Sequence, residues 1–378
     1  MFSWKRKILS AEGNDKKGKR IKYVVNEGID NPLGKYNAGS KARKDAEKIL
    51  ESDDFNIIYA NTNYGVKESR ILKPLQYYEY LKNYFKWKKI VKQLSSGDII
   101  VIQYPLNNIN LFFNKILKKI NKKNVLTIAL IHDLDSLRIT DNMKPLYKRR
   151  VINMDKVTLN LYQKIIVHNE EMKKYLMQYI NKDKLYILGI FDYLLDEEVK
   201  SIKRKKDDSI VIAGNLSSTK ANYLKKLSDA NKLKINLYGK GLDFVLPNNV
   251  KYKGTFLPDV IVGKIDGGYG LVWDGNDIDN CSGVYGEYLK YNNPHKASLY
   301  IVSQLPLIVP STSAISKFVL KNKIGLTIDD IKDIDKKINQ LTDENYIEMQ
   351  KNIRKLSKKL LSGFYLKNVV NEIINDWR

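Results

Sequence analysis

Short apolar runs alternate with longer amphipathic segments along almost the whole chain. Five runs in the first half read as buried strands: 21–25 (IKYVV), 55–60 (FNIIYA), 98–103 (DIIVIQ), 125–131 (VLTIALI) and 164–168 (KIIVH). Between them, apolar residues recur at helical spacing near 39–52, 75–95, 108–121, 143–161 and 169–180. Regular alternation of such strands and helices predicts parallel sheets joined by crossover helices. A second series starts at 209–213 (SIVIA) and continues through 234–238, 250–253, 269–273, 306–309 and 325–328. Residues 189–207 (GIFDYLLDEEVKSIKRKKD) are charged and poorly periodic, and read as a linker. The expected architecture is α/β, two Rossmann-like domains facing across a cleft. The divisions fall at 1–195, 196–361 and a C-terminal helix over 362–378, whose Trp377 offers an apolar ring to pack back on the first domain.

Composition narrows the function classes. At 378 residues, 43% hydrophobic and 29% charged, the chain has enough apolar surface for two globular cores. Its formal net charge of +24 would draw nucleic acid, an anionic membrane or anionic small molecules. The lysines are spread along the chain, with no zinc-finger spacing and no RNP-like motif, so nucleic acid is not an expected partner. The single cysteine, Cys281, allows no internal disulfide and suits a reducing cytoplasm. The first twenty residues lack a secretory apolar core, and the longest apolar runs fall far short of the roughly 20 residues of a membrane span. A cytoplasmic protein is expected, one able to rest peripherally against an anionic leaflet.

In doubly wound sheets, ligands bind at the carboxyl ends of the strands. After the first strand, Asn37 and Gly39 precede a helix without a dinucleotide fingerprint. After the fourth come His132, Asp133 and Asp135; a carboxylate, Asp133 or Asp135, is the expected base for an acceptor hydroxyl, with His132 the other candidate. The Asp-Leu-Asp string looks like a metal-binding motif, but its surroundings do not match and no metal is expected. His168, ending the fifth strand, reads as structural. In the second half, Asn215, Tyr238, the Gly254-Thr255-Phe256 turn and Asp274 should rim one pocket. Asn293 reads as an N-cap and Pro294 as the first helical residue, leaving amides free for an anion, with His295 and Lys296 in the first turn. That suits a nucleotide diphosphate.

The segments IHDLDSLR, IFDYLL, IAGNLS, GLVWDG and YGEYLKYNNPHKASLYI resemble the bacterial glucosyltransferase 3 family of GT-B glycosyltransferases, in which beta-1,6-galactofuranosyltransferases are closely similar. The resemblance runs from about Gly39 to Gly363. It implies a UDP-sugar donor in the second domain and, in the first, a glycan acceptor on a lipid carrier or glycoprotein. It also implies no separate cofactor, no metal and, in many members, a homo-oligomer. It carries donor-site roles onto Asn215, Tyr238, Asn293 and Lys296, and a cleft role onto Asn37 and Gly39. Where relatives tend to have a basic residue just after the GNLS turn, this chain has Ser218-Thr219, and Lys220 stands two positions on. The implied reaction is an inverting, metal-independent transfer of a glucosyl or galactofuranosyl unit. A non-catalytic GT-B partner or glycan-binding chaperone and a sugar-nucleotide epimerase are the alternatives.

Overall fold

The computed structural model describes residues 20–28, 38–60, 73–106, 112–197, 203–230 and 232–377. The first sheet contains β1 (Lys22–Asn26), β2 (Phe55–Tyr59), β3 (Ile99–Tyr104), β4 (Leu126–Ile131), β5 (Lys164–Val167) and β6 (Leu185–Ile187), in the order β2-β1-β3-β4-β5-β6. The second contains β7 (Ile210–Asn215), β8 (Ile235–Lys240), β9 (Val250–Tyr252), β10 (Tyr269–Leu271), β11 (Leu307–Pro310) and β12 (Gly325–Ile328), in the order β12-β11-β10-β7-β8-β9. Every pairing is parallel. The central strands β3 and β4 are buried at every position, which accounts for their unbroken apolar runs. The strand order reverses between β1 and β3 in one sheet and between β7 and β10 in the other, and each reversal opens a crevice at the strands' carboxyl ends.

Helices cover both faces of each sheet. On one face of the first sheet, the helix Phe113–Lys122 buries Phe113, Ile116, Leu117 and Ile120 at helical spacing, in a cluster with Trp87, Ile102 and Tyr162. On the other, the helix Ala38–Glu51 and the last helix, Phe364–Asp376, share a cluster in which Ala46, Ile49 and Leu50 meet Leu366, Val369, Val370 and Ile373. The chain therefore crosses back to the first domain at its end, and Trp377 lies against this cluster. The turn into the last helix needs glycine: Gly363 has φ +73°, and a Cβ there would stand 2.7 Å from Ile49.

The structure departs from the sequence reading in three places. The three residues of β6 are too few for a legible pattern. The segment 143–161 is not one helix. A helix at Pro145–Asn153 loosens into a π turn at Met154–Thr158 and a 3₁₀ turn at Leu159–Leu161, where buried Asp155 turns inward to accept from the Tyr104 hydroxyl and from Ser136 N. The described parts of the linker expected over 189–207 are packed, and residues 198–202 lie outside the described residues. Ile190, Phe191, Asp192 and Tyr193 are buried, the Tyr193 hydroxyl donates to Pro258 O at 2.7 Å, and the Arg204 guanidinium donates to the carbonyls of Ser303, Ile265 and Gly267.

Candidate active site

A cavity of about 620 Å³ lies between the two sheets, with walls from both domains. On the second-domain side, it opens at the reversal between β7 and β10. Backbone approach is closest where β7 and β8 end: Gly239 has φ +143°, and a Cβ there would fall 1.8 Å from Gly214 O. Asn215 lines the wall, its Oδ1 accepting from Ser217 N at 3.0 Å. Asp274, beyond the end of β10, is 5% exposed and draws two lysines together. Lys296 Nζ lies 2.8 Å from its Oδ1 and also donates to Trp273 O at 3.0 Å, while Lys220 Nζ lies 3.9 Å from its Oδ2. Burial lowers the Lys296 pKa, and Asp274 opposes that shift. Two cations against one carboxylate leave a net positive wall.

Other expected donor residues stand differently. Tyr238 presents its ring, but its hydroxyl is engaged away from the cavity, accepting from Asp266 N at 2.9 Å and donating to Lys264 O at 3.3 Å. The helix carrying Lys296 is His295–Val302 with Pro294 at the cap position, so Asn293 is not its N-cap. Asn293 lines the cavity, with its amide tied to the first domain. Its Nδ2 donates to His168 O at 3.1 Å and Gly189 O at 2.6 Å, its Oδ1 accepts from Asn169 Nδ2 at 2.8 Å, and its backbone N donates to His168 Nδ1 at 3.1 Å. His168, whose Nε2 meets Ile131 O at 3.1 Å, is the other half of this interdomain latch, as a structural histidine should be. The His295 ring stacks on Tyr193 with centroids 5.1 Å apart, and its buried Nε2 has no hydrogen-bond partner among the described residues. Burial pushes its pKa down to about 3.

The first domain supplies the opposite wall. His132 stacks on Phe191, centroids 5.5 Å apart, and its Nε2 lies 2.7 Å from Gln103 Oε1. Burial, reinforced by the Arg43 cation, holds His132 well below the usual histidine range, so the ring is neutral. Asp133 also lines the cavity, paired with Arg138 Nη1 at 2.9 Å, and burial raises its pKa. Asp135 does not reach the cavity wall and pairs with Arg138 Nη2 at 2.7 Å. One guanidinium thus clamps both carboxylates. Tyr288, from the second domain, closes this corner, its hydroxyl accepting from Leu134 N at 2.9 Å. Gly39 lies in the first turn of the helix Ala38–Glu51, and Asn37 lies outside the described residues.

Residues 23–190 match the N-terminal domain of the family described as glucosyltransferase 3-like, and residues 210–373 match its C-terminal domain. The chain belongs to the glucosyltransferase 3-like family. Among its relatives, "Beta-1,6-galactofuranosyltransferase WbbI" of Escherichia coli (strain K12) is 31% identical, over 94% of this chain and 98% of its own. "Glucosyltransferase 3" of Streptococcus parasanguinis is 23% identical, over 75% and 81%. The fold is shared with an alpha,alpha-trehalose-phosphate synthase (UDP-forming) from Burkholderia vietnamiensis, with a TM-score of 0.53 at 10% identity over 95% of this chain and 99% of that one. In this glucosyltransferase 3-like protein, the N-terminal family domain carries His132 and Asp133, and the C-terminal one carries Lys220, Asp274 and Lys296. Sequence reasoning missed Gln103, Phe191, Tyr193 and Tyr288. Gln103 had a signal, being a lone polar residue near the carboxyl end of an otherwise apolar strand. The aromatic residues had none, because aromatic rings near strand ends are usually core.

Proposed function

We propose that this glycosyltransferase transfers a hexosyl unit, glucosyl or galactofuranosyl, from a UDP-sugar to a glycan acceptor with inversion at the anomeric carbon. The observation that carries the reading is the convergence of Lys296 and Lys220 on Asp274, at the strand-order reversal of the second sheet. A diphosphate brought to this wall meets two ammonium groups, one of them 13% exposed, at the start of the helix His295–Val302. As the bond from C1 to the phosphate oxygen breaks, negative charge grows on the departing UDP, and fixed cations stabilise that state more than the ground state. The acceptor hydroxyl approaches from the first domain. His132 is the favoured base because it is neutral and its ring is held by Gln103, whereas Asp133 is tied in an ion pair with Arg138. Replacing Lys296 by alanine should lower kcat by roughly a hundredfold, as when one preorganised donor is removed. Turnover of UDP-sugar by Lys296→Ala at the wild-type rate would overturn the assignment.

The acceptor reading extends to a lipid-borne glycan presented at an anionic membrane surface. The helix Pro145–Asn153 packs on the Asp135–Arg138 turn, beside the cavity's acceptor wall, and exposes Leu146 and Ile152 among Lys148 and Arg149. No helix among the described residues is long and apolar enough to cross a membrane, so such contact would be peripheral.

A further inference from the structure

A chain of four polar side chains runs from the crevice of the first sheet to the cavity, and its hydrogen-bond directions are fixed at one end. Asn26, the last residue of β1, accepts from Gly28 N through Oδ1 at 2.6 Å. A backbone N–H only donates, so the amide nitrogen of Asn26 must face Glu47, and Asn26 Nδ2 donates to Glu47 Oε2 at 2.6 Å. The other carboxylate oxygen, Oε1, accepts from Gln103 Nε2 at 2.9 Å. With its nitrogen committed to Glu47, Gln103 can only offer Oε1 to His132, and the 2.7 Å contact there requires a proton on His132 Nε2. His132 Nδ1 has no hydrogen-bond partner among the described residues and keeps its lone pair.

We propose that Glu47 and Gln103 are positioning residues that hold His132 in the Nε2–H tautomer, making Nδ1 the basic nitrogen for the acceptor. The inference rests on His132 as the base proposed above. In the step, the acceptor hydroxyl proton moves to His132 Nδ1, the acceptor oxygen forms its bond to C1, and the C1–phosphate bond breaks with its electron pair leaving on UDP. The imidazolium formed is stabilised through Nε2–H and the Gln103 amide by the carboxylate behind it, the logic by which an acidic partner orients a catalytic histidine.

The relay depends on Glu47 being ionised. Burial pushes its carboxyl up to about 7, against the Gln103 and Asn26 amides and the cations Arg43 and Lys44 on its own helix, with Glu27 lying 3.8 Å from Arg43. A protonated Glu47 can donate to Gln103, turn its amide and send the nitrogen to His132 Nε2, which moves the imidazole proton to Nδ1.

The test is the ¹⁵N spectrum of the His132 ring in the full-length protein, assigned by its absence from His132→Gln, together with kinetics. Wild type should show protonated Nε2 and unprotonated Nδ1 at pH 8, and kcat should fall as pH drops below about 7. Gln103→Met, close in shape, should give a mixed tautomer and kcat lower by roughly tenfold to a hundredfold, less than the roughly 10²–10⁴-fold of losing acid–base assistance outright, with donor KM unchanged. Glu47→Gln should flatten the acid limb at low turnover. A wild-type ring protonated on Nδ1, or an unchanged tautomer in Gln103→Met, overturns the relay. Wild-type turnover in His132→Gln defeats the base assignment instead, while the tautomer result would still stand.

Discussion

Asn293 shows how one side chain can match a local rule in sequence and serve a distant partner in the fold. An asparagine before proline at a helix start is a good cap by sequence. Here the amide is 3% exposed and spans the two domains, with three side-chain hydrogen bonds to His168, Gly189 and Asn169. Asn293→Ala leaves two buried carbonyls and an amide without this partner, so it should destabilise the fold by about 2–4 kcal/mol. Urea unfolding measures this, and calorimetric titration should find donor affinity less affected than in Lys296→Ala. The reverse ranking would make Asn293 chiefly a donor contact and not a latch. Lys296 and Asp274 were legible because both sit at strand or helix ends, where the fold class already puts ligands. Asn293 was not, because its partners lie more than a hundred residues away in sequence.

The last helix carries a similar lesson for elements. Its apolar face was readable, since Leu366, Val369, Val370 and Ile373 recur at helical spacing, yet periodicity does not say which domain receives it. The receiver is set by Asp192, in the segment read as a linker, whose carboxylate accepts from Tyr365 N at 3.1 Å and Leu366 N at 2.8 Å. Burial pushes this carboxyl up to about 7 from its ordinary 3.8. A group with a raised folded pKa binds its proton more tightly in the folded state. Its stabilisation is complete below the unfolded pKa and is lost as pH rises through about 7. Asp192→Asn removes the titration, with a constant cost from setting its Nδ2 against one of the two backbone N–H groups. Wild-type stability should therefore fall relative to the variant between pH 4 and pH 7, by on the order of 3 kcal/mol. Urea midpoints at several pH values test this, and a difference that stays level would mean the folded carboxyl is already ionised at acid pH.

Charge belongs to the whole molecule, and position makes part of it useful. A net charge of +24 spread over the surface attracts any polyanion, but it does not orient the protein. Orientation needs apolar residues that a lipid surface can receive and water cannot. The segment after the His132–Asp133 turn provides them: Leu146 is 82% exposed, with Ile152 and Val157 also exposed, and Arg149 and Lys156 lie among them. In the proposed membrane contact, such a face would dock through apolar burial and lipid charge together, each basic side chain near the surface contributing about 1 kcal/mol. The full-length protein should float with vesicles rich in phosphatidylglycerol and not with phosphatidylcholine vesicles, and its binding should weaken as salt shortens the screening length below about 8 Å. Leu146→Asp should reduce flotation at every salt concentration, because it removes apolar contact. Lys148→Glu with Arg149→Glu should reduce it by roughly tenfold or more at low salt and progressively less at high salt, because it removes only the screened attraction. Neither change touches the lysines at Asp274, so donor affinity should be unchanged in both. Equal binding to neutral and anionic vesicles would mean that the charge of this face plays no part in bringing the acceptor to the cleft.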